Sequence, residues 1–249
     1  MTPATGHDST GGIVVDVAAR PFRSQKQATP EVFDIDLYVD AEVTGGGDVP
    51  NEAAVDAIHD RGGYAICYVG AGSWENWRPD AGAFPPAIKG KKNGWPGERW
   101  LDIRDIETLA PIMSARATKC ADAGFDAIEW DNVDGYRNDT GFDLQGSDQL
   151  EYNVFLANLA HEHGLAVGLK NDLGQIEKLL DHFDFAVNEQ CSQYNECSRL
   201  RPFLEAGKAV FQVEYEKKPR GFCPSANRAG RNAMYKSYRL GAKPWTPCR

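Results

Sequence analysis

The segment from Gly124 to Tyr136, GFDAIEWDNVDGY, opens as an apolar strand and ends in carboxylates. At the strand period of two, Phe125, Ala127, Glu129 and Asp131 share one face, and Asp126, Ile128 and Trp130 the other. Asp131 falls where the strand gives out, followed by Asn132, Asp134 and Gly135 in a polar loop. A carboxylate at the C-terminal tip of a strand is where a parallel α/β barrel keeps its chemistry. Other predicted strand tips also carry polar groups: Asp36 with Asp40, Lys170 with Asn171, Glu189, and Glu214. If the strands are parallel and closed, all of these converge on one mouth. Two acids on different tips, Asp131 and Glu189, suit glycoside hydrolysis. That reaction needs one carboxylic acid to protonate the leaving oxygen and a second carboxylate as nucleophile, or as base on a water.

Other chemistries find less support. The histidines His7, His59, His161, His163 and His182 are scattered, so no metal-ligand cluster and no cofactor is expected. No G-x-S-x-G elbow or Cys/His nucleophile pair stands at a strand tip. A barrel phosphate site needs a Gly-rich loop after strand seven or eight; here that stretch reads EKKPRGFCP, with Lys217, Lys218 and Arg220 as the only support.

The positioning elements follow from hydrophobic periodicity. Strands are predicted at Gly11–Ala19, Phe33–Asp40, Tyr64–Val69, Gly124–Asp131, Ala166–Lys170, Phe183–Glu189, Lys208–Tyr215 and Asn232–Tyr238, with a short extended run at Trp100–Arg104. Helices are predicted at Pro50–Arg61, Ile106–Ala123, Asp148–His163 (Asp148 as N-cap, Gly164 at C′), Leu173–His182, Ser198–Ala206 and near Ser225–Arg228. Near-continuous apolar strands alternating with helices indicate a parallel sheet buried on both faces. With 249 residues and no linker dividing them, a TIM (β/α)8 barrel is expected, because that fold needs about 250 residues. An open doubly wound sheet is the rival, but no G-x-G-x-x-G or Walker sequence follows an early strand. Residues 1–30 read as a disordered or irregular N-terminal segment containing strand 1, and 31–249 as the catalytic domain. The loop GAGSWENWRPDAGAFP and its surroundings offer Trp74, Trp77, Trp95 and Trp100 for stacking on sugar rings, or for packing the loop down.

Composition bounds the partners. Hydrophobic content of 42% and charged content of 25% are those of a soluble globular protein. A net charge of −9 argues against nucleic acid and anionic membranes, and no apolar run reaches the length of a membrane span. The chain is expected to be a monomer. Its six cysteines have no zinc spacing and lean towards disulfides and an oxidising compartment. No signal peptide is visible in MTPATGHDSTGG. Cys191 with Cys197 is the first expected pairing and Cys223 with Cys248 the second; Cys67, inside an apolar strand, is equally readable as a buried thiol.

The runs ICYVGAGSWENWRPD, GERWLDIR, GFDAIEWDNVDGY, GLAVGLKNDL, DFAVNEQCSQYNEC and GKAVFQVEY resemble glycoside hydrolase family 114, the secreted TIM-barrel endo-α-1,4-polygalactosaminidases. The resemblance runs from Val32 to Glu216 and more loosely to the final PC. It implies an endo-acting hydrolase of α-1,4-linked galactosamine polymers, with a non-catalytic carbohydrate-binding barrel as the alternative. The family's catalytic carboxylates, on strands four and six, match Asp131 and Glu189, with Asp131 as nucleophile and Glu189 as general acid/base in a retaining reaction. Substrate-binding roles then fall to Asp36, Asp134 and Glu214 for ammonium or hydroxyl groups. Lys170 and Asn171 would bind hydroxyls and lower the pKa of the nucleophile, and Tyr68 and Tyr215 would wall the sugar pocket. For Asp36, Lys170 and Glu214 an internal ion-pair network is the alternative, and Glu129 reads as structural. The chain departs from the family before Glu31, where GGIVVDVAARPFRSQKQATP lacks the expected Trp-rich first strand.

Overall fold

The computed structural model describes residues 13–15, 31–39 and 48–249. The expected disorder of the first ten residues, and Asp40 at the second strand tip, lie outside them. In chain order the strands are β1 (Ile13–Val15), β2 (Val32–Asp36), β3 (Tyr64–Gly70), β4 (Ser73–Glu75), β5 (Lys89–Lys92), β6 (Glu98–Leu101), β7 (Ala127–Asp131), β8 (Ala166–Lys170), β9 (Phe185–Glu189), β10 (Ala209–Glu214), β11 (Asn232–Tyr235) and β12 (Thr246–Pro247). The α-helices are α1 (Glu52–His59), α2 (Ile106–Asp122), α3 (Gly146–Glu162), α4 (Ile176–Leu179), α5 (Arg201–Glu205) and α6 (Pro219–Ala229).

One sheet takes the order β1-β2-β3-β7-β8-β9-β10-β11-β12. Strands β2 to β11 of that order run parallel. The sheet curls until β1 lies beside β11, a TIM-like barrel as expected. The first strand is the irregular one: β1 pairs antiparallel with β2, with Ile13 opposite Asp34. Antiparallel neighbours need no crossover helix, unlike the parallel strands that follow.

Alternation along the strands separates two cores. Val32, Ile66, Ala127, Phe185, Val187, Phe211, Val213 and Met234 fill the inside of the barrel. Their outward neighbours, among them Cys67, Ile128, Val167 and Ala186, pack against the helices. Gly168 on β8 makes room in the barrel floor, because a Cβ there would lie 2.3 Å from the Phe185 ring. On the outer face Cys67 is not a buried thiol. It bonds Cys120 of α2 across a separation of 53 residues, a constraint of about 4 kcal/mol on the chain-entropy account. Cys191–Cys197 and Cys223–Cys248 pair as expected.

Several boundaries shift. α3 starts at Gly146, so Asp148 is not its N-cap. Gln145 is, and Asp148 accepts the Gln145 N–H at 2.7 Å as the reciprocal half of a capping box. Gly164 is left-handed, as a residue ending the helix should be. The stretch read as a possible phosphate loop is instead the start of α6, with Pro219 at its first position. The main departure is between β3 and α2. There β4, β6 and β5 form a separate antiparallel sheet, where a loop and one extended run were expected. Arg78 ties that sheet to the barrel, clamping Asp36 at 2.6 and 2.8 Å and Glu75 at 2.7 and 2.9 Å. No described helix is long and apolar enough to cross a membrane.

Candidate active site

Successive inward positions of the strands turn from apolar at the barrel floor to ionisable at the rim. β2 supplies Asp34, β3 Tyr68, β7 Glu129 and Asp131, β8 Lys170 and β9 Glu189; Tyr215 follows β10. These groups meet because parallel strands in register bring their C-terminal ends to one mouth. The residue after each of three charged tips leaves extended backbone for the left-handed region: Asn132 (φ 63°), Asn171 (φ 51°) and Gln190 (φ 62°). Such backbone is costly for non-glycine residues and clusters at functional sites.

Lys170 is the hub. It is 3% exposed, and its Nζ lies 2.7 Å from Glu129 Oε1, 3.0 Å from Asp131 Oδ1 and 3.7 Å from Glu189 Oε2. Burial works against its charge, but Asp131, Glu129 and Glu189 together raise its pKa well above that of an ordinary lysine. The Asp131 and Glu189 oxygens that flank Nζ lie at most the sum of those two distances apart, about 6.7 Å, within reach of a two-carboxylate mechanism.

The two acids are held differently. Asp131 Oδ2 accepts the Tyr68 hydroxyl at 2.7 Å and Asn132 Nδ2 at 3.2 Å. Burial pushes its carboxyl up, but Lys170 and the Tyr68 hydroxyl outweigh burial and hold its pKa below the usual carboxylate value. Glu189 Oε1 accepts the Tyr215 hydroxyl, and its Oε2 lies 3.5 Å from Asn171 Nδ2. Asn171 Oδ1 in turn accepts the Glu189 N–H at 2.9 Å. Tyr215 stacks on Tyr238 with ring centroids 4.7 Å apart.

Beneath the pair lies Asp34, 1% exposed. Burial and the Glu129 carboxylate push its pKa well up. Among the described residues neither Asp34 oxygen nor Glu129 Oε2 has a donor; a proton held on Asp34 and shared with Glu129 gives Glu129 Oε2 a partner. With Asp34 neutral, Lys170 is outnumbered by the acids Glu129, Asp131 and Glu189 around it, and the mouth carries net negative charge even when one of them holds a proton.

The cavity, about 240 Å³, is lined by Tyr68, Glu98, Asp131, Lys170, Glu189 and Tyr215, together with Trp95, Asn132, Gln190, Tyr238 and Leu240. The three acids expected to meet ammonium do not line it. Asp36 is clamped by Arg78. Glu214 points outward from β10 and accepts the Ser192 and Gln193 N–H groups and Gln212 Nε2, bracing the loop after Glu189. Asp134 is half-buried and not among the lining residues; burial and Asp131 raise its pKa to about 6. Of the four tryptophans only Trp95 lines the cavity; the Trp74 indole donates to Ala81 O, Trp77 is exposed and Trp100 is buried. Glu98, from the inserted sheet, was not anticipated.

The Tyr68 bond gives a testable pKa. Tyr68→Phe removes a charge-assisted hydrogen bond of about 1.5–3 kcal/mol, so the Asp131 pKa should rise. Asp131 contributes stability that is present above its unfolded pKa and is lost as pH falls through the lower folded value. The substitution should therefore also reduce stability at neutral pH. Carboxyl ¹³C NMR titration measures the shift; an unmoved Asp131 resonance would show that Tyr68 does not set it.

Comparison with known proteins adds three findings. The sequence profile described as Glycoside-hydrolase family GH114 matches residues 21–248. The crystal structure of Aspergillus fumigatus Ega3 in complex with galactosamine is similar to this chain at 32% identity over 96% of each chain, with a TM-score of 0.78. The glycoside hydrolase domain of PelA from Pseudomonas aeruginosa shares the fold at 13% identity, over 77% of this chain and 85% of that one, with a TM-score of 0.59. No curated protein sequence matches.

Proposed function

The chain belongs to glycoside-hydrolase family GH114, and on that premise we propose that residues 31–249 form a secreted, monomeric endo-hydrolase of α-1,4-linked galactosamine polymers, retaining configuration through Asp131 and Glu189. The observation that carries the reading is the pair itself. Two carboxylates from different strands flank one buried lysine in a cavity, in a chain 32% identical to a protein solved with galactosamine. The negative mouth suits an amino sugar, whose ammonium it attracts. The three disulfides suit an oxidising, extracellular setting.

The chemistry divides between the acids by their surroundings. Asp131, held ionised by Lys170 and Tyr68, attacks the anomeric carbon. Glu189, with a more exposed side chain and farther from Lys170, gives its proton to the departing glycosidic oxygen. Glu189 then takes a proton from water, whose oxygen displaces Asp131 and regenerates both groups.

The test is a reducing-end assay on partly deacetylated α-1,4-galactosamine polymer, with products sized early and the first-formed anomer read by NMR. Oligomers of mixed length and an initial α-anomer are expected. An initial β-anomer would refute retention. Polymer binding with no new reducing ends would favour the non-catalytic barrel.

A further inference from the structure

Glu98 stands at the start of β6, on the inserted sheet, and faces the cavity while only 3% exposed. Its Oε2 accepts Asn93 Nδ2 at 2.5 Å, and Asn93 Oδ1 accepts the Trp95 N–H at 3.1 Å. One asparagine thus fixes both the acid and the tryptophan beside it. Among the described residues no lysine, arginine or histidine forms an ion pair with Glu98. Its neighbour Glu75 is different: Arg78 engages both its oxygens. Lys170, the cation in the cavity lining, is already committed to Glu129 and Asp131. Burial and then Glu75 push the Glu98 carboxyl up to about 7, against the opposing hydrogen bonds from Asn93 and Ser73; these donors are neutral and leave the acid without a counter-ion.

A buried carboxylate without a cation is costly, and structural acids at such depth are normally paired. The pairing absent from the protein is available from a cationic ligand entering the cavity. We infer that Glu98 is a specificity-determining residue, the one that receives the ammonium group of a galactosamine unit in the cavity. This rests on the proposed amino-sugar substrate and deepens it. An acetamide is neutral and cannot supply the charge, whereas an ammonium forms a charge-assisted hydrogen bond and supplies the counter-ion that the carboxylate lacks.

The experiment compares wild type with E98Q on two chains of equal length, fully deacetylated and fully N-acetylated α-1,4-galactosamine oligomers. In E98Q, kcat/KM on the deacetylated chain should fall about ten- to hundredfold relative to the acetylated one, chiefly through KM. An equal loss on both chains would overturn the inference and leave Glu98 a structural part of the wall. Titration of wild type with galactosamine and with N-acetylgalactosamine, followed by NMR, decides the matter should the variant fail to fold: equal affinities would also overturn it. Wild-type enzyme that cleaves neither chain would instead refute the hydrolase reading, while the monosaccharide titration still reports on Glu98.

Discussion

Asp131→Asn should reduce hydrolysis of the galactosamine polymer at least about a thousandfold, and Glu189→Gln by about 10²–10⁴. Neither should abolish polymer binding, because most of the cavity lining is untouched. The two losses should differ in kind. A substrate with a leaving group that needs no proton should restore the first step in Glu189→Gln, and a small anionic nucleophile should then complete turnover. Neither should rescue Asp131→Asn, where the group that forms the covalent bond is gone. Steady-state kinetics on polymer and on an activated glycoside, with and without azide, make the comparison. Unchanged turnover in either variant would remove that residue from the chemistry, and the reverse pattern of rescue would exchange the roles.

Lys170→Met is expected to damage both stability and activity. It leaves Glu129 and Asp131 buried with no cation, and breaking a buried ion pair from one side costs about 3–5 kcal/mol. For a chain of this size that is a fall in Tm of roughly 6–20 °C. The Asp131 carboxyl, held ionised largely by Lys170, would rise in pKa and lose nucleophilic character at neutral pH. Adding Glu129→Gln removes one of the stranded charges and should return part of the Tm without returning activity. Thermal melts and kcat for the two single variants and the double variant separate the effects. Full recovery of activity in the double variant would mean that Lys170 acts only as structural counter-charge.

Much of this site is legible in order along the chain. Period-two alternation puts Glu129 and Asp131 on the inner face and Asp126 outside, and Asp126 indeed accepts the Ala65 N–H on the outer side. The same rule carries a warning: Glu214 and Tyr215 are adjacent, so only one can face in, and Tyr215 does. Strand tips, read as tips, located Asp131, Lys170 and Glu189 without any knowledge of their contacts.

The misreadings have a common physical origin. Asp36 looked available because its partner, Arg78, lies in an insertion whose path no local pattern describes. Glu98 and Trp95 reach the cavity through the same insertion, Glu98 from a short antiparallel sheet pinned by that arginine and Trp95 from the turn that precedes β6. Cys67 and Cys120 lie 53 residues apart on a strand and a helix, and only the packing of α2 on β3 brings them within bonding distance. Asp34, on the inward side of its strand, gave no sign that it lies against Glu129.

The sequence alone therefore determined the alternation of strands and helices, the inward face of each strand and the two carboxylates at the tips of β7 and β9, because these depend on residues close together in the chain. The tertiary structure alone decided which acids are free to meet a ligand and which are already spent on Arg78, on backbone N–H groups or on Lys170. That division depends on partners distant in sequence, and a carboxylate's charge, burial and reach are set by what lies across from it rather than by what precedes it.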